Sequence, residues 1–520
     1  MHFVSERRGH RLVAVGSALI ALALIAVLAF AGRAQAAETL YWNNYGADPE
    51  NVAFANIDGS GGGTLNLGTE KFESPEGMAY DTVTNRLFVA NEAGTDGQIL
   101  AINLDGSGAA PFTAPGAPIS EPEGVAVDPV NRMIYWENVK EETIAWAKLD
   151  GSAGGTLNTT GVTIDGPCCR IALDPVAGRV YFVNFPPAGG TLTYVNTNNT
   201  GGGELSTVGA TFRPDGEGLA VDPAAGRIYF LGSSNRLGYA NLNGTGGGDV
   251  STGSAEIDGP WGLALDPTIG RLYWANENHG EGENVNAFGF VNTDGSNPGN
   301  INIASAPLDN PQDPIIIKSP TGSGAPTIAK DAANPALLTC PTGSWGADFA
   351  GSFVYQAPRS FGYQWLLNGA AIPGATSNTL TATAPGAYTC TVTATNQTGS
   401  ASQTSAAAAT VNAASVKLTV KPKKAKAKAG KLAKFKVQAL NQGDLATGNA
   451  KVCVKVPKKA KKALKAPKCK KLGVVGALTK KTAKVKIKVK PAAASGSYKV
   501  KLQIKGSAGK AVKATVKVIG

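Results

Sequence analysis

The sequence predicts an all-β chain, a six-bladed β-propeller followed by two β-sandwiches. Three observations carry this. One phrase returns six times at intervals of forty to fifty residues; Cys340, Trp365 and Cys390 stand 25 residues apart in each direction; and the last hundred residues alternate Lys with Val, Ile or Leu. Short β-prone runs repeated at that period mark radially arranged four-stranded sheets. The 65 glycines and 30 prolines in 520 residues suit many turns and few long helices.

Residues 1–36 read as a signal peptide. Arg7, Arg8 and Arg11 precede an apolar stretch from Leu12 to Ala31, and Ala34-Gln35-Ala36 supplies small residues for cleavage. The mature chain is then expected to begin at or near Ala37, outside the cell, by the general or the twin-arginine route. An uncleaved anchor is the other reading of the same stretch. Export permits disulfides, and the six cysteines, Cys168, Cys169, Cys340, Cys390, Cys453 and Cys469, group locally without zinc-site spacing.

Residues 38–319 hold the repeats. The fullest copies run from Pro122-Glu123-Gly124 to Tyr135-Trp136-Glu137-Asn138 and from Pro260-Trp261-Gly262 to Tyr273-Trp274-Ala275-Asn276. In five copies an Asp precedes an aromatic by seven positions (Asp81, Asp128, Asp174, Asp222, Asp266), so one hairpin recurs. Arg86, Arg179, Arg227 and Arg271 follow the Asp by five, which suggests a structural ion pair across the turn. Asp58, Asp105, Asp150, Asn198, Asn243 and Asp294 open polar turns whose Gly or Asn residues supply the positive φ of tight hairpins. Tyr41-Trp42 begins inside a unit, and Ile315-Ile316-Ile317 is a strand without its own sheet. Pairing the two closes the ring and removes both edges.

These repeats resemble the YWTD propellers of the low-density-lipoprotein-receptor family, over residues 38–319. Asn44, Asn91, Asn138, Asn184, Gly232 and Asn276 stand where that family has its final Asp. The resemblance implies a six-bladed ring and leaves the ligand open.

Propellers bind where the entry loops of the innermost strands converge. Glu76, Glu123, Cys169, Glu217, Trp261 and Gln312 occupy that entry. Either they form a ring suited to a cationic or sugar-like ligand, through carboxylate acceptors and an aromatic face, or they are solvated loop residues of unrelated blades. Cys168 and Cys169 beside them form a vicinal disulfide or stay separate thiols. The chain has three histidines, His2, His10 and His279, so imidazole acid–base catalysis and a multi-histidine metal site are not expected. No catalytic residue, metal or cofactor is predicted.

In residues 325–412, Tyr363-Gln364-Trp365 and Gly386-Ala387-Tyr388-Thr389-Cys390 resemble strands C and F of an immunoglobulin domain. That resemblance implies a Cys340–Cys390 bridge over Trp365. Residues 415–520 alternate at period two, as in Lys484-Val485-Lys486-Ile487-Lys488-Val489, which places Lys on one strand face and apolar residues on the other. The segment resembles the adhesion-related, conserved-repeat sandwiches of bacterial surface proteins, with Cys453 and Cys469 bridging its Lys-rich loop.

Charge divides sharply between the two parts. Residues 416–520 hold 31 lysines, no arginine and one acid, Asp444, while the whole chain is +11, leaving −19 on residues 1–415. Either a wall polymer, a membrane surface, nucleic acid or the chain's own acidic part supplies the counter-charge, or the lysine face serves only to solubilise the domain. Without Arg and with few aromatics, base reading is not expected. The sequence therefore predicts a secreted or cell-surface binding or adhesion protein that is not an enzyme: a propeller head for an unknown protein or glycan ligand, and a Lys-rich attachment to an anionic envelope. An extracellular lyase or lactonase with a metal at the channel mouth is the alternative.

Overall fold

The structure, a computed structural model, describes residues 38–92, 94–187, 189–232, 235–277 and 288–520. The expected signal peptide and His279 lie outside them. Among the described residues the chain is all-β, with single helical turns at Ala350–Ser352 and Lys458–Ala460, and no helix long and apolar enough to cross a membrane. It divides into two units. The first runs to Thr321 and includes Trp345–Ser360 and Thr395–Ala401; the second holds the remainder.

The first unit is of β-propeller type. Pro75–Asp81 leads a four-stranded sheet through Arg86–Asn91, Gln98–Asn103 and Ala110–Phe112, and sheets of the same order start at Pro122, Cys168, Pro214 and Pro260. A further sheet joins distant segments: Pro311–Lys318 lies beside Glu38–Asn44, with Ile317 opposite Thr39 and Ile315 opposite Tyr41, followed by Asn51–Asn56 and Gly63–Thr64. The leading strands touch one another in chain order, and Pro311–Lys318 also touches Pro75–Asp81. Sheets packed face to face bury both sides of their inner strands, so Pro75–Asp81 is buried throughout and does not alternate.

Trp42, Trp136 and Trp274 are fully buried between sheets, each contributing roughly 2–3 kcal/mol by removal from water. The indole N–H groups of Trp42 and Trp136 donate to Asn44 and Asn138. These asparagines then receive the loop that enters the innermost strand: Ser120 N–H donates to Asn138 Oδ1, and Asp165 and Asp258 donate to Asn184 and Asn276. Asn44 does the same with Asp309, more than 260 residues away. The side-chain amide thus performs one local task in every sheet but the one whose strand ends at Gly232, and it ties the joined sheet across the chain.

The ion pair expected in the turns that carry an arginine does not form. Asp81 accepts the N–H groups of Val83 and Thr84, and Asp174 those of Val176 and Ala177, so these carboxylates are occupied by their own turns. Arg179, Arg227 and Arg271 instead lie 4.0, 4.2 and 4.8 Å from the ring centres of Tyr194, Tyr239 and Phe290 on the next strand. Where these aspartates do meet a cation, it comes from a neighbouring sheet: Arg132 on Asp81, at 2.5 and 2.7 Å, and Lys318 on Asp266. At the outer tips Asp58, Asp105 and Asp294 each accept the hydroxyl and N–H of the serine two residues on, which holds their carboxyls below the usual range.

One segment enters this unit from beyond residue 319. Phe353, Val354 and Tyr355 are fully buried, with Val354 and Tyr355 paired in parallel to Ile316 and Ile317. Ser352 Oγ donates to Val221 O, Tyr80 N–H donates to the Tyr355 hydroxyl, and Thr82 donates to Asp348. Gly351 approaches so closely that a β-carbon there would lie 1.8 Å from Leu173 O. Tyr80, Leu173 and Val221 stand at the ends of innermost strands, so the segment seals the end of the channel opposite the entry loops.

In the second unit Cys340 and Cys390 are bridged and buried. Trp365 is fully buried and donates to Ser377 O at 2.8 Å, while the Tyr388 hydroxyl donates to Ala384 O at 2.7 Å. After Val416, one sheet runs Val416–Lys421, Leu432–Asn441, Lys480–Val489, Leu464–Lys465. The other runs Lys424–Lys428, Val512–Ile519, Gly496–Lys505, Ala450–Lys455, Lys470–Gly473. Their apolar alternates, among them Val437, Ile487, Leu502 and Val516, form one core, and Cys453 is bridged to Cys469.

Candidate functional site

The entry to each innermost strand is read most simply from its glycine. In Pro75-Glu76-Gly77 and Pro122-Glu123-Gly124 the next strand presses close: a β-carbon on Gly77 would meet Glu123 O at 2.5 Å, and one on Gly124 would meet Ile171 N at 2.6 Å. Gly218 and Gly262 keep the pattern. Two strands depart from it, with Arg170 and Asp313 in the glycine's place. These two find each other. The Arg170 guanidinium lies on the Asp313 carboxylate, both side chains at most 1% exposed, and sits 4.0 Å above the Phe353 ring. Arg170 stands on Cys168–Asp174 and Asp313 on Pro311–Lys318, so the pair joins the leading strands of two different sheets. Burial pulls Arg170 down to about 9, and it remains a cation at neutral pH.

Above that pair the mouth is acidic. Glu76 is buried, Glu123, Glu217 and Trp261 are half-buried, and Gln312 is 2% exposed. Glu123 accepts the N–H of Cys169 at 2.8 Å, a bond directed by the positive φ of Cys169, and Cys168 and Cys169 are bridged. Gln312 donates to Glu277 at 2.8 Å. Burial, reinforced by Glu123, Glu92 and Glu277, holds the Glu76 carboxyl well above the usual range. Burial raises Glu123 to about 7 and Glu217 to about 8, the latter helped by Asp215 and Glu277. Glu76, Glu123, Cys169, Glu217 and Gln312 are joined by hydrogen bonds or by charge, Glu217 and Gln312 through Glu277, and none of these links reaches Trp261.

Four further residues belong with them. Glu137 is fully buried, donates nothing, and accepts Gly124 N–H through one oxygen only; burial and Glu123 push its carboxyl well up. Asp215, raised to about 6 by burial, enters through the longer Pro214–Gly218 start of its strand, and Glu277 joins through Gln312. Asn43 donates to Glu76 O. A signal for Glu137 was available: it fills a position where the other repeats carry Asn43, Ala90, Val183, Leu231 and Ala275.

The mouth also collects polar atoms that find no protein partner. Glu76 Oε2, Glu137 Oε2, Asp215 Oδ1, Gln312 Oε1, Asn43 Oδ1 and Trp261 Nε1 are buried in this condition. An unpaired buried polar group costs about 1–3 kcal/mol, so six in one neighbourhood single it out. Among the described residues the one tight group of potential metal ligands is Glu123 with Cys168 and Cys169, and its sulfurs are spent on each other. The carboxylates are otherwise spread around the opening.

The second unit carries a different surface. From Lys417 to Lys513 every lysine of the terminal region is exposed, and many face each other directly. Lys421, Lys436 and Lys484 form one row across three strands, Lys434 opposes Lys486, and Lys465 opposes Lys488. On the other sheet Lys451 opposes both Lys471 and Lys505, and Lys501 opposes both Lys455 and Lys513. The one acid, Asp444, is taken by Lys330 and Asn412. Spacings of about 5 Å across strands and about 7 Å along them make this a lattice of positive charge.

No protein-family model and no curated protein matches the chain. Solved structures do resemble it, over about half its length. A chain from the crystal structure of a nidogen/laminin complex aligns with 54% of this chain and 98% of its own, at 16% identity and a TM-score of 0.41. TolB from Acinetobacter baumannii aligns with 54% of this chain and 66% of its own, at 13% identity and a TM-score of 0.40. A protein from Lactobacillus plantarum aligns with 54% and 99%, at 15% identity and a TM-score of 0.36.

Proposed function

We propose that this is an exported binding or adhesion protein of the cell surface. Its head is a closed YWTD-like ring of six blades. An immunoglobulin-like domain follows within residues 325–412, apart from the segments 345–360 and 395–401 that group with the first unit, and an adhesion-type sandwich over 415–520 attaches the protein to an anionic envelope polymer or membrane surface. The lysine rows are the observation that carries the reading. Like charges directly opposite on neighbouring strands destabilise a sheet by up to about 1 kcal/mol per pair, and the terminal region offers one acid against 31 lysines. A surface built at that cost is explained by an external polyanion, whose repeating charges the lattice matches. Three disulfides fit an oxidising location.

The test compares the mature full chain with a chain ending at Asn412 on isolated cell envelopes. Retention of the full chain, released by raising NaCl from 0.05 to 0.5 M and absent from the shortened chain, supports the reading. Equal retention of both, or retention indifferent to salt, overturns it.

A further inference from the structure

We infer that the channel mouth is a site for an organic cation, an amine or guanidinium group held by Glu76, Glu123, Glu137 and Gln312 with the Trp261 indole at its side. The inference rests on the reading of the first unit as a ligand-binding head and names the ligand's chemistry.

Three features select a cation with several N–H groups. The unpartnered buried atoms are mostly acceptors, Glu76 Oε2, Glu137 Oε2, Asp215 Oδ1, Gln312 Oε1 and Asn43 Oδ1, so the missing partner is a donor. Among the described residues the charges acting on the carboxylates are acidic: Glu76 is met by Glu50, Glu92, Glu123 and Glu277, Glu123 by Glu92 and Glu121, Glu137 by Glu123, and Glu217 by Asp215 and Glu277. Arg170, the one buried cation among the described residues, is engaged by Asp313 and Phe353. Finally, among the described residues no three of these carboxylates bring oxygens within 4.8 Å of one another, which is too dispersed for a bare metal ion and suits donors distributed over an ammonium or guanidinium group. A half-buried indole adds a cation–π face.

Proton release follows from the same geometry. With the site unliganded, burial favours the protonated form of these carboxyls. A bound cation holds them ionised, so each proton displaced makes affinity rise roughly tenfold per pH unit until the carboxyl is ionised beforehand.

Isothermal titration of the mature full chain at 150 mM NaCl tests this with arginine amide, spermidine, a short Lys/Arg peptide and calcium chloride as separate probes. Binding of an amine or guanidinium that tightens from pH 6 to pH 8, with proton release scaling with buffer ionisation enthalpy, is expected. Glu76→Gln and Glu123→Gln should each weaken it by about tenfold or more; Gln312→Leu and Trp261→Leu provide the same test should a carboxylate variant fold poorly. Preference for arginine amide or spermidine over the peptide identifies a small ligand, and the reverse a side chain of a protein partner. Calcium binding in preference to every amine, no amine binding at millimolar concentration, or variants that bind as the wild type does, would overturn the inference. Its failure leaves envelope retention untouched, and loss of envelope retention leaves the titration standing.

Discussion

Replacing Asp313 with Asn strands the Arg170 guanidinium, which meets no other carboxylate among the described residues. Both side chains are essentially inaccessible, and removing one partner of a buried ion pair costs about 3–5 kcal/mol. For a domain of this size that corresponds to a fall in Tm of roughly 10 °C. Arg170→Met is expected to cost less, because the orphaned Asp313 carboxyl can take up a proton whereas a guanidinium cannot easily lose one. Its cost should grow as pH rises from 4 to 8, since the folded protein then holds a proton that the unfolded chain releases. The double variant removes both charges and keeps an apolar body over Phe353, so it should lie within about 1–2 kcal/mol of wild type. Thermal unfolding followed by tryptophan fluorescence reads this cycle, as Trp42, Trp136 and Trp274 are fully buried in the same unit. Single variants within 1 kcal/mol of wild type, or a double variant as unstable as the sum of its parts, would refute a paired charge joining the two sheets.

Three other perturbations probe separate parts of the molecule. Phe353→Ala removes a fully buried ring and the face beneath Arg170; it should cost about 3–5 kcal/mol and open 345–360 to limited proteolysis, whereas unchanged proteolysis would show that the segment does not seal the channel. Without ligand the first unit should lose stability as pH rises from 5 to 8.5. Its carboxyls at Asp215, Glu123 and Glu217 are raised to about 6, 7 and 8, so the folded state binds more protons than the unfolded one over that window, and a Tm that climbs with pH would contradict this. Lys436→Gln, at the centre of a three-lysine row, should stabilise the second unit by a few tenths of a kcal/mol at low salt; the gain should vanish in 1 M NaCl, and a gain that persists there would exclude charge repulsion as its cause.

The legible parts of the fold were those encoded locally. The seven-residue interval from Asp to aromatic and the Asp-Gly or Asn-Gly tips are turn chemistry, so strand positions could be read within each repeat. The pairing of Tyr41 with Ile315 was readable because two half-units stood at distant points with nowhere else to go. By contrast, Gly351–Tyr355 falls inside the stretch 325–412 that resembles an immunoglobulin domain, whereas the structure groups it with the first unit. What buries it are partners 131 and 275 residues away, Val221 and Tyr80, and no local pattern records such contacts. The turn aspartates misled for a related reason: spacing places Arg near Asp, but backbone amides reach the carboxylate first and the neighbouring strand offers Arg an aromatic face. At the mouth, entry-loop alignment located Glu76, Glu123 and Gln312, yet missed Glu137 because it points inward from the second strand. Arg170 was visible as a departure from glycine; that Asp313 answers it depends on ring closure.

Everything assigned to the mouth depends on Glu38–Asn44 lying beside Pro311–Lys318, where Glu38 opposes Lys318 and meets it at 3.2 Å. The direct measurement is a Glu38→Cys/Lys318→Cys variant, oxidised mildly in the folded state, digested and mapped by mass spectrometry. A peptide containing residue 38 cross-linked to one containing residue 318 is the predicted result. Two thiols that both stay free and alkylate readily in the folded protein would contradict the closed arrangement.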